Sequence, residues 1–262
     1  MSTATGYYQA GDSWLHRRNP MTKLLGVALA LIATFILPPL VLPVIALIVV
    51  AIAWSTRLGW QIIRALRIPA LLLASIVVVN ALFFPGATDR LVSLGPLSIT
   101  REGLSFGLIS AGRVLVSFLV LVTFLFTTLA DDLLESLVSR GASHRIAFVV
   151  LSAVQMVPRM QDRAGSILDA QQARGLVVSG SVRQRAKALV PLIGPVLLGS
   201  LIDVRERTFA LEARGFGARP GRSAYRIVAD PPADRWLRLA IVLGIVVVVA
   251  LALSGVLTDR AR

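Results

Sequence analysis

The sequence predicts an all-α, polytopic membrane protein with about five transmembrane helices and two long helices on the cytoplasmic side. Three observations carry this. The chain has 262 residues, 56% of them hydrophobic and 16% charged, with mean hydropathy +0.77. A soluble domain needs about a quarter of its residues charged to cover its surface. The apolar residues fall in runs long enough to cross a bilayer, and the charges fall between those runs. Absence of cysteine and the presence of only two histidines, His16 and His144, exclude disulfides, thiolate nucleophiles and most zinc sites.

The clearest span runs from Leu237 to Leu257, rich in Val, Leu and Ile, with Arg238 near its start. About 20 apolar residues cross a hydrocarbon core of ~30 Å as a helix. Val114 to Ala130 is a second span, within a segment 103–130, and Ile68 to Phe84 is a third, closed by Pro85. Leu24 to Ala53 would make a helix of about 45 Å if unbroken, too long for the bilayer unless steeply tilted. Pro38-Pro39 interrupts it, and a proline disfavours helix at the residue before it. Two spans, 24–37 and 40–53, are therefore expected. The first 13 residues carry one charge, Asp12, and show no signal-peptide pattern.

Charge sets the orientation. Residues 1–23 sum to +2, 54–67 to +3, 85–103 to zero and 131–235 to +5. Basic segments stay in the cytoplasm during insertion. Five spans with a cytoplasmic N-terminus place every strongly basic segment inside and the neutral loop outside. The organisation is then 1–130 with four spans, 131–235 in the cytoplasm, and 236–262 with the last span and a short tail. Positive-inside placement accounts for most of the +13 net charge, so nucleic acid is not an expected partner, although Arg219, Arg222 and Arg226 cluster.

The cytoplasmic segment carries two helical patterns, roughly Arg145–Arg174 and Arg183–Arg214. Each starts apolar (Ile146–Val157, Ala188–Ile202) and finishes charged. The apolar halves are too short to span and too apolar for water, so they should pack on membrane protein. Pro158, Pro191 and Pro195 should bend these helices or mark their starts. Their ends nearly repeat: Gln172-Ala173-Arg174-Gly175-Leu176 and Glu212-Ala213-Arg214-Gly215-Phe216. A cation in a last turn followed by glycine can end any helix. Composition alone, however, predicts only about 0.2 Ala-Arg-Gly triplets in the chain.

With these paired triplets the chain resembles the transmembrane T component of energy-coupling factor (ECF) transporters, the EcfT/CbiQ-like family of prokaryotic vitamin and metal importers. Ser13-Trp14-Leu15-His16 with Asn19-Pro20-Met21-Thr22-Lys23-Leu24-Leu25 is similar to the family's opening. Arg113, Thr127-Thr128, Asp132-Leu133, Val157-Pro158 and Phe209-Ala210-Leu211-Glu212 also fall where its pattern has similar residues. The resemblance implies that Ala173, Arg174, Gly175, Ala213, Arg214 and Gly215 bind ATPase subunits, each arginine entering a groove on one of them. It implies two ATP-binding cassette ATPases as partners, and with them a membrane-embedded substrate-binding S component and the lipid bilayer. The implied location is the prokaryotic cell (inner) membrane. The chain itself would hold no cofactor, ATP and Mg being bound by the ATPases, and would have no catalytic or metal-binding residue.

Residue chemistry fits this. Ala and Gly leave little bulk around a guanidinium that is always charged and can pair bidentately with a carboxylate. A Walker A loop needs Gly-x-x-x-x-Gly-Lys-Ser/Thr, and neither Lys23 nor Lys187 follows one. Two alternatives have a basis in the sequence. One is a membrane scaffold or assembly protein outside the transporter class. The other is a Mg-dependent membrane prenyltransferase built on Asp131-Asp132-Leu133-Leu134-Glu135, which lacks a second acidic cluster to complete a diphosphate site. Those acids are better placed to stabilise a helix start, with Thr128 or Asp131 as cap. Arg113 is either an intramembrane charge or reaches the outer headgroups. Asn80 could join helices by a side-chain hydrogen bond, and Gly103, Gly107 and Ala111 form a small-residue face for close packing.

Overall fold

The computed structural model describes residues 8–9, 11–85, 90–94, 97–176, 182–216 and 229–254. The cluster Arg219, Arg222, Arg226 and the end of the last span, 255–257, lie outside them. The described residues form an all-helical membrane protein with one two-stranded ribbon. In chain order they are α1 (Pro20–Ile36), a 3-10 turn (Pro39–Val41), α2 (Leu42–Ser55), α3 (Gly59–Ala65), α4 (Arg67–Phe83), β1 (Arg90–Leu94), β2 (Leu97–Thr100), α5 (Arg101–Thr127), α6 (Ala130–Val138), α7 (His144–Ala173), α8 (Val182–Ala213) and α9 (Pro232–Leu253). They fall into two compact units, 1–140 with 228–262, and 141–227.

Within the first unit, α5 and α9 are each long and apolar enough to cross a membrane. Helices α3 and α4 meet that test together as a pair bent by 52°, while α1 and the 39–55 segment are shorter apolar helices. Pro38-Pro39 separates α1 from α2, as the steric clash of a proline with the preceding residue requires. The loop between α4 and α5 contains the antiparallel ribbon, in which Leu94 faces Leu97. No strand was expected there.

The core gathers on α5. Val116, Leu119, Val120 and Val122 pack with Val49 and Ala53 of α2 and with Leu58 and Ile62 around α3. Along the N-terminal half of α5, Gly103, Gly107 and Ala111 are buried. A Cβ at Gly103 would lie 2.3 Å from the Asn80 carbonyl oxygen, and one at Gly107 would lie 3.1 Å from the Val77 Cα. The two backbones of α4 and α5 therefore touch, and only glycine permits it. The Asn80 side chain does not bridge helices. Its amide donates to the Ile76 carbonyl one turn back in its own helix (2.8 Å).

Helix ends are closed by side chains. Asn19 caps α1, its Oδ1 accepting the Met21 N–H at 3.0 Å with Pro20 in the first turn. Thr100 caps α5 through the Gly103 N–H. The α5 C-terminus is satisfied from the N-terminal segment: the Gln9 N–H donates to Phe126 O and the Lys23 ammonium to Thr127 O at 2.7 Å. His16 sits in this segment between the Ser13 hydroxyl and the Gln9 carbonyl, and burial pushes its imidazole below the ordinary histidine range. Helix α6 corrects an expectation. Its N-cap is Leu129 with no side-chain bond, so neither Thr128 nor Asp131 caps it; Asp131 and Asp132 do occupy its first turn. Thr128 instead turns its hydroxyl into a buried position with no hydrogen-bond partner.

The first and last helices meet at a fully buried carboxylate. Asp234 accepts from Arg18 Nη1 at 2.6 Å and from the Asn19 N–H at 2.7 Å, and the Asn19 amide donates to Ala229 O. Beside it, Arg238 donates two hydrogen bonds to Asp230, at 2.7 and 3.0 Å. That bond, with Arg140 and Arg235 nearby, holds the Asp230 carboxyl below its ordinary value. Its contribution is therefore complete at neutral pH and fades only as pH falls through that lowered value.

Two stability predictions follow from these contacts. Asp234→Ala leaves a guanidinium and an amide without their acceptor and should cost about 1–3 kcal/mol, read as a lowered Tm of the reconstituted protein. Asp230→Ala, at a partly exposed carboxylate, should cost less, about 0–1 kcal/mol. Arg57 is the one described non-glycine residue with a left-handed backbone (φ 62°), in the turn that ends α2. Arg57→Gly relieves that strain and should raise stability by about 1 kcal/mol in the same measurement.

Candidate coupling site at two helix ends

The second unit is a helical hairpin. α7 and α8 have 30 and 32 residues and carry Pro158, Pro191 and Pro195 inside them. Phe216, just past the end of α8, packs its ring against Phe148 near the start of α7 (ring centroids 4.8 Å apart, planes tilted by 50°) and lies near His144. Further along, Arg163 of α7 pairs with Asp203 of α8 through two contacts, 2.8 Å from Nη1 to Oδ2 and 3.0 Å from Nη2 to Oδ1. Advancing on α7 thus means retreating on α8, and the helices run antiparallel.

Both helices end in the same way. After α7, Gly175 takes φ +94°, its N–H donates to Gln172 O, and the Leu176 N–H donates to Gln171 O, each at 2.9 Å. After α8, Gly215 takes φ +70°, its N–H donates to Glu212 O, and the Phe216 N–H donates to Leu211 O, again at 2.9 Å. These are two complete Schellman caps, with the glycine at the left-handed position where a Cβ would be strained. In each, the residue that closes the helix is the motif arginine. Arg174 and Arg214 are exposed, and so are the alanine and glycine on either side. Among the described residues neither arginine has an ion pair or side-chain hydrogen bond. The repeated triplet thus specifies two exposed guanidinia on bare helix ends, with no partner among the described residues.

The antiparallel hairpin places these ends apart rather than together. Arg174 and Arg214 each lie eleven residues beyond the Arg163–Asp203 pair, in opposite directions. At 1.5 Å per residue, straight helices would separate them by about 33 Å. Along the hairpin, Val149, Val157, Ile193, Leu197, Leu201 and Phe209 are exposed. An apolar surface of this extent on a charged-tipped hairpin marks contact with another protein or with lipid.

The sequence pattern did not single out Arg163, Asp203 or Gly199. A Cβ on Gly199 would lie 2.8 Å from Arg163 Nη1, so the guanidinium rests where that side chain would be. The available signal was the equal spacing of Arg163 and Asp203 from the two triplets. Other candidates resolve differently. Arg113 lies at the middle of the unbroken helix α5, and its Nε is buried without a hydrogen-bond partner among the described residues. Among the described residues no three acids or histidines gather as metal ligands, Asp131, Asp132 and Glu135 included.

Comparison with known proteins adds the family. Residues 11–225 match the family model CbiQ, cobalt transport protein. The chain is 33% identical to the energy-coupling factor transporter transmembrane protein EcfT of Heliobacterium modesticaldum, covering 84% of this chain and 86% of that one. It is 32% identical to the EcfT of Lacticaseibacillus paracasei, over 85% and 88%. A putative ABC transporter ATP-binding protein of Bifidobacterium longum is 30% identical over 91% of this chain, which spans only 32% of that relative's length. An all-helical membrane protein with matched arginine-tipped helices, similar over most of its length to these proteins, belongs to the CbiQ cobalt transport protein family and is a transmembrane component of energy-coupling factor transporters.

Proposed function

We propose that this chain couples two ATP-binding cassette ATPase subunits to a membrane-embedded substrate-binding subunit, in an importer of vitamins or transition-metal ions. The observation that carries the reading is the pair of identical Schellman-capped ends. Each presents one exposed arginine with no partner among the described residues. The cap fixes the backbone that carries each guanidinium, and a guanidinium can pair bidentately with a carboxylate in a groove. Ala173 and Gly175, and Ala213 and Gly215, let the backbone enter that groove. Two tips some 30 Å apart suit two separate subunits, and the unequal flanks Gln172/Leu176 and Glu212/Phe216 suit two grooves that differ.

The Bifidobacterium longum relative supports an ATPase partner, because a region like this chain makes up about a third of a protein named as ATP-binding. ATP and Mg stay on the ATPases, and the chain supplies no catalytic group, cofactor or metal ligand. The basic segments 1–23, 54–67 and 131–235 face the cytoplasm, and five segments cross the prokaryotic cell membrane. Closure of the ATPases on ATP moves the tips, and the exposed apolar faces of α7 and α8 carry that movement to the substrate-binding subunit.

Arg174→Ala with Arg214→Ala should reduce co-purification of the ATPases more than tenfold, since losing one partner of a buried charge pair costs about 2–5 kcal/mol. Uptake of a panel of cobalt ion, nickel ion and B vitamins by cells expressing the whole complex should fall with it. Undiminished assembly and uptake would defeat the reading. Gly175→Ala and Gly215→Ala should each cost about 1 kcal/mol at the helix end and speed amide exchange in the final turn, while leaving the hairpin's middle unchanged.

A further inference from the structure

Arg163 and Asp203 stand at equivalent places in the two halves of the hairpin, each eleven residues before its motif arginine. Their fork-to-fork pair joins α7 to α8. It is seated sterically as well as electrostatically. Gly199 and Asp203 lie one turn apart on the same face of α8, and the Arg163 guanidinium lies across both, occupying the space that a Gly199 side chain would fill. Sliding either helix by one residue would bring a different residue opposite Arg163 and break both contacts.

We infer that the Arg163–Asp203 pair on Gly199 is the positioning element that fixes the register of the two helices and hence the distance between the arginine tips. Because the pair sits midway between the tips, a register slip there displaces both tips relative to each other along the hairpin. Apolar contact alone does not set a register, since Leu and Val side chains pack in several offsets, whereas a bidentate pair has one geometry. Both side chains are about one-third exposed, so the pair gives little overall stability and acts by selecting one arrangement. The inference concerns the hairpin itself. Its relevance to transport rests on the proposed docking of Arg174 and Arg214.

The chain has no cysteine, so Gln172→Cys and Glu212→Cys give two unique labelling sites beside the tips. Pulsed electron resonance on the full, spin-labelled chain in lipid nanodiscs reads the distance distribution between them. In the otherwise unchanged chain it should be narrow. Arg163→Ala or Asp203→Ala should broaden it, with the narrow population falling about fivefold relative to the rest, the upper value for a partly exposed bidentate pair. The exchanged pair Arg163→Asp with Asp203→Arg should recover the narrow distribution, which a merely misfolded variant could not do. Single variants that keep the narrow distribution, or an exchanged pair as broad as the singles, would overturn the inference. The measurement needs no ATPase. A result as expected here, with co-purification indifferent to Arg174 and Arg214, would keep the register pair and remove the docking reading.

Discussion

The membrane unit depends on a carboxylate that water never reaches. Asp234 is fully buried at the start of the last helix and accepts from Arg18 and from the backbone of Asn19, the residue that caps the first helix. A buried carboxylate is costly unless its lone pairs are met, so these donors must come to it. That requirement brings α1 and α9 together, with Arg238 and Asp230 paired beside the contact. The Lys23 ammonium, one turn into α1, then reaches the carbonyl end of α5. One desolvated charge thereby orients three helix ends.

Elements whose signal is local were legible in the sequence. The Pro38-Pro39 break, the small-residue face of α5 and the spans of α7 and α8 each follow from a few neighbouring residues. So did the two helix ends, because a glycine after a charged last turn has a strong conformational reason to be there. What escaped was either non-local or chemically neutral in context. Arg163 and Asp203 sit among other charges in two separate segments, and only the fold brings them together. The ribbon at 90–100 is too short and its residues too mixed for a strand pattern. Arg57 was expected as an inside-positive charge; that it also takes a left-handed backbone could be known only from the turn it closes.

The same contrast separates the two units in kind. In the membrane unit, Arg18, Asn19, Lys23 and Asp234 join helices to one another. At the ends of the hairpin the two arginines have no partner among the described residues, and alanine and glycine flank them. Groups that satisfy themselves internally stabilise a fold, while groups held rigidly and left unsatisfied are available to something else. Arg174 and Arg214 belong to the second kind, and the caps that hold them explain why exposed side chains can still be well placed.

The backbone contact between α4 and α5 has a consequence for how the chain assembles. Gly103 and Asn80 are separated by a short ribbon, so this hairpin can close soon after α5 has been made, before anything C-terminal to it exists. The Arg18–Asp234 contact joins residues 216 positions apart and must wait for almost the whole chain. During synthesis the first helix therefore remains without its last partner, with the Arg18 guanidinium and the Asn19 amide open to water. The glycine-lined pair can close while later helices are still to be made, and the contact of the first helix with the last one is completed only when α9 brings its carboxylate.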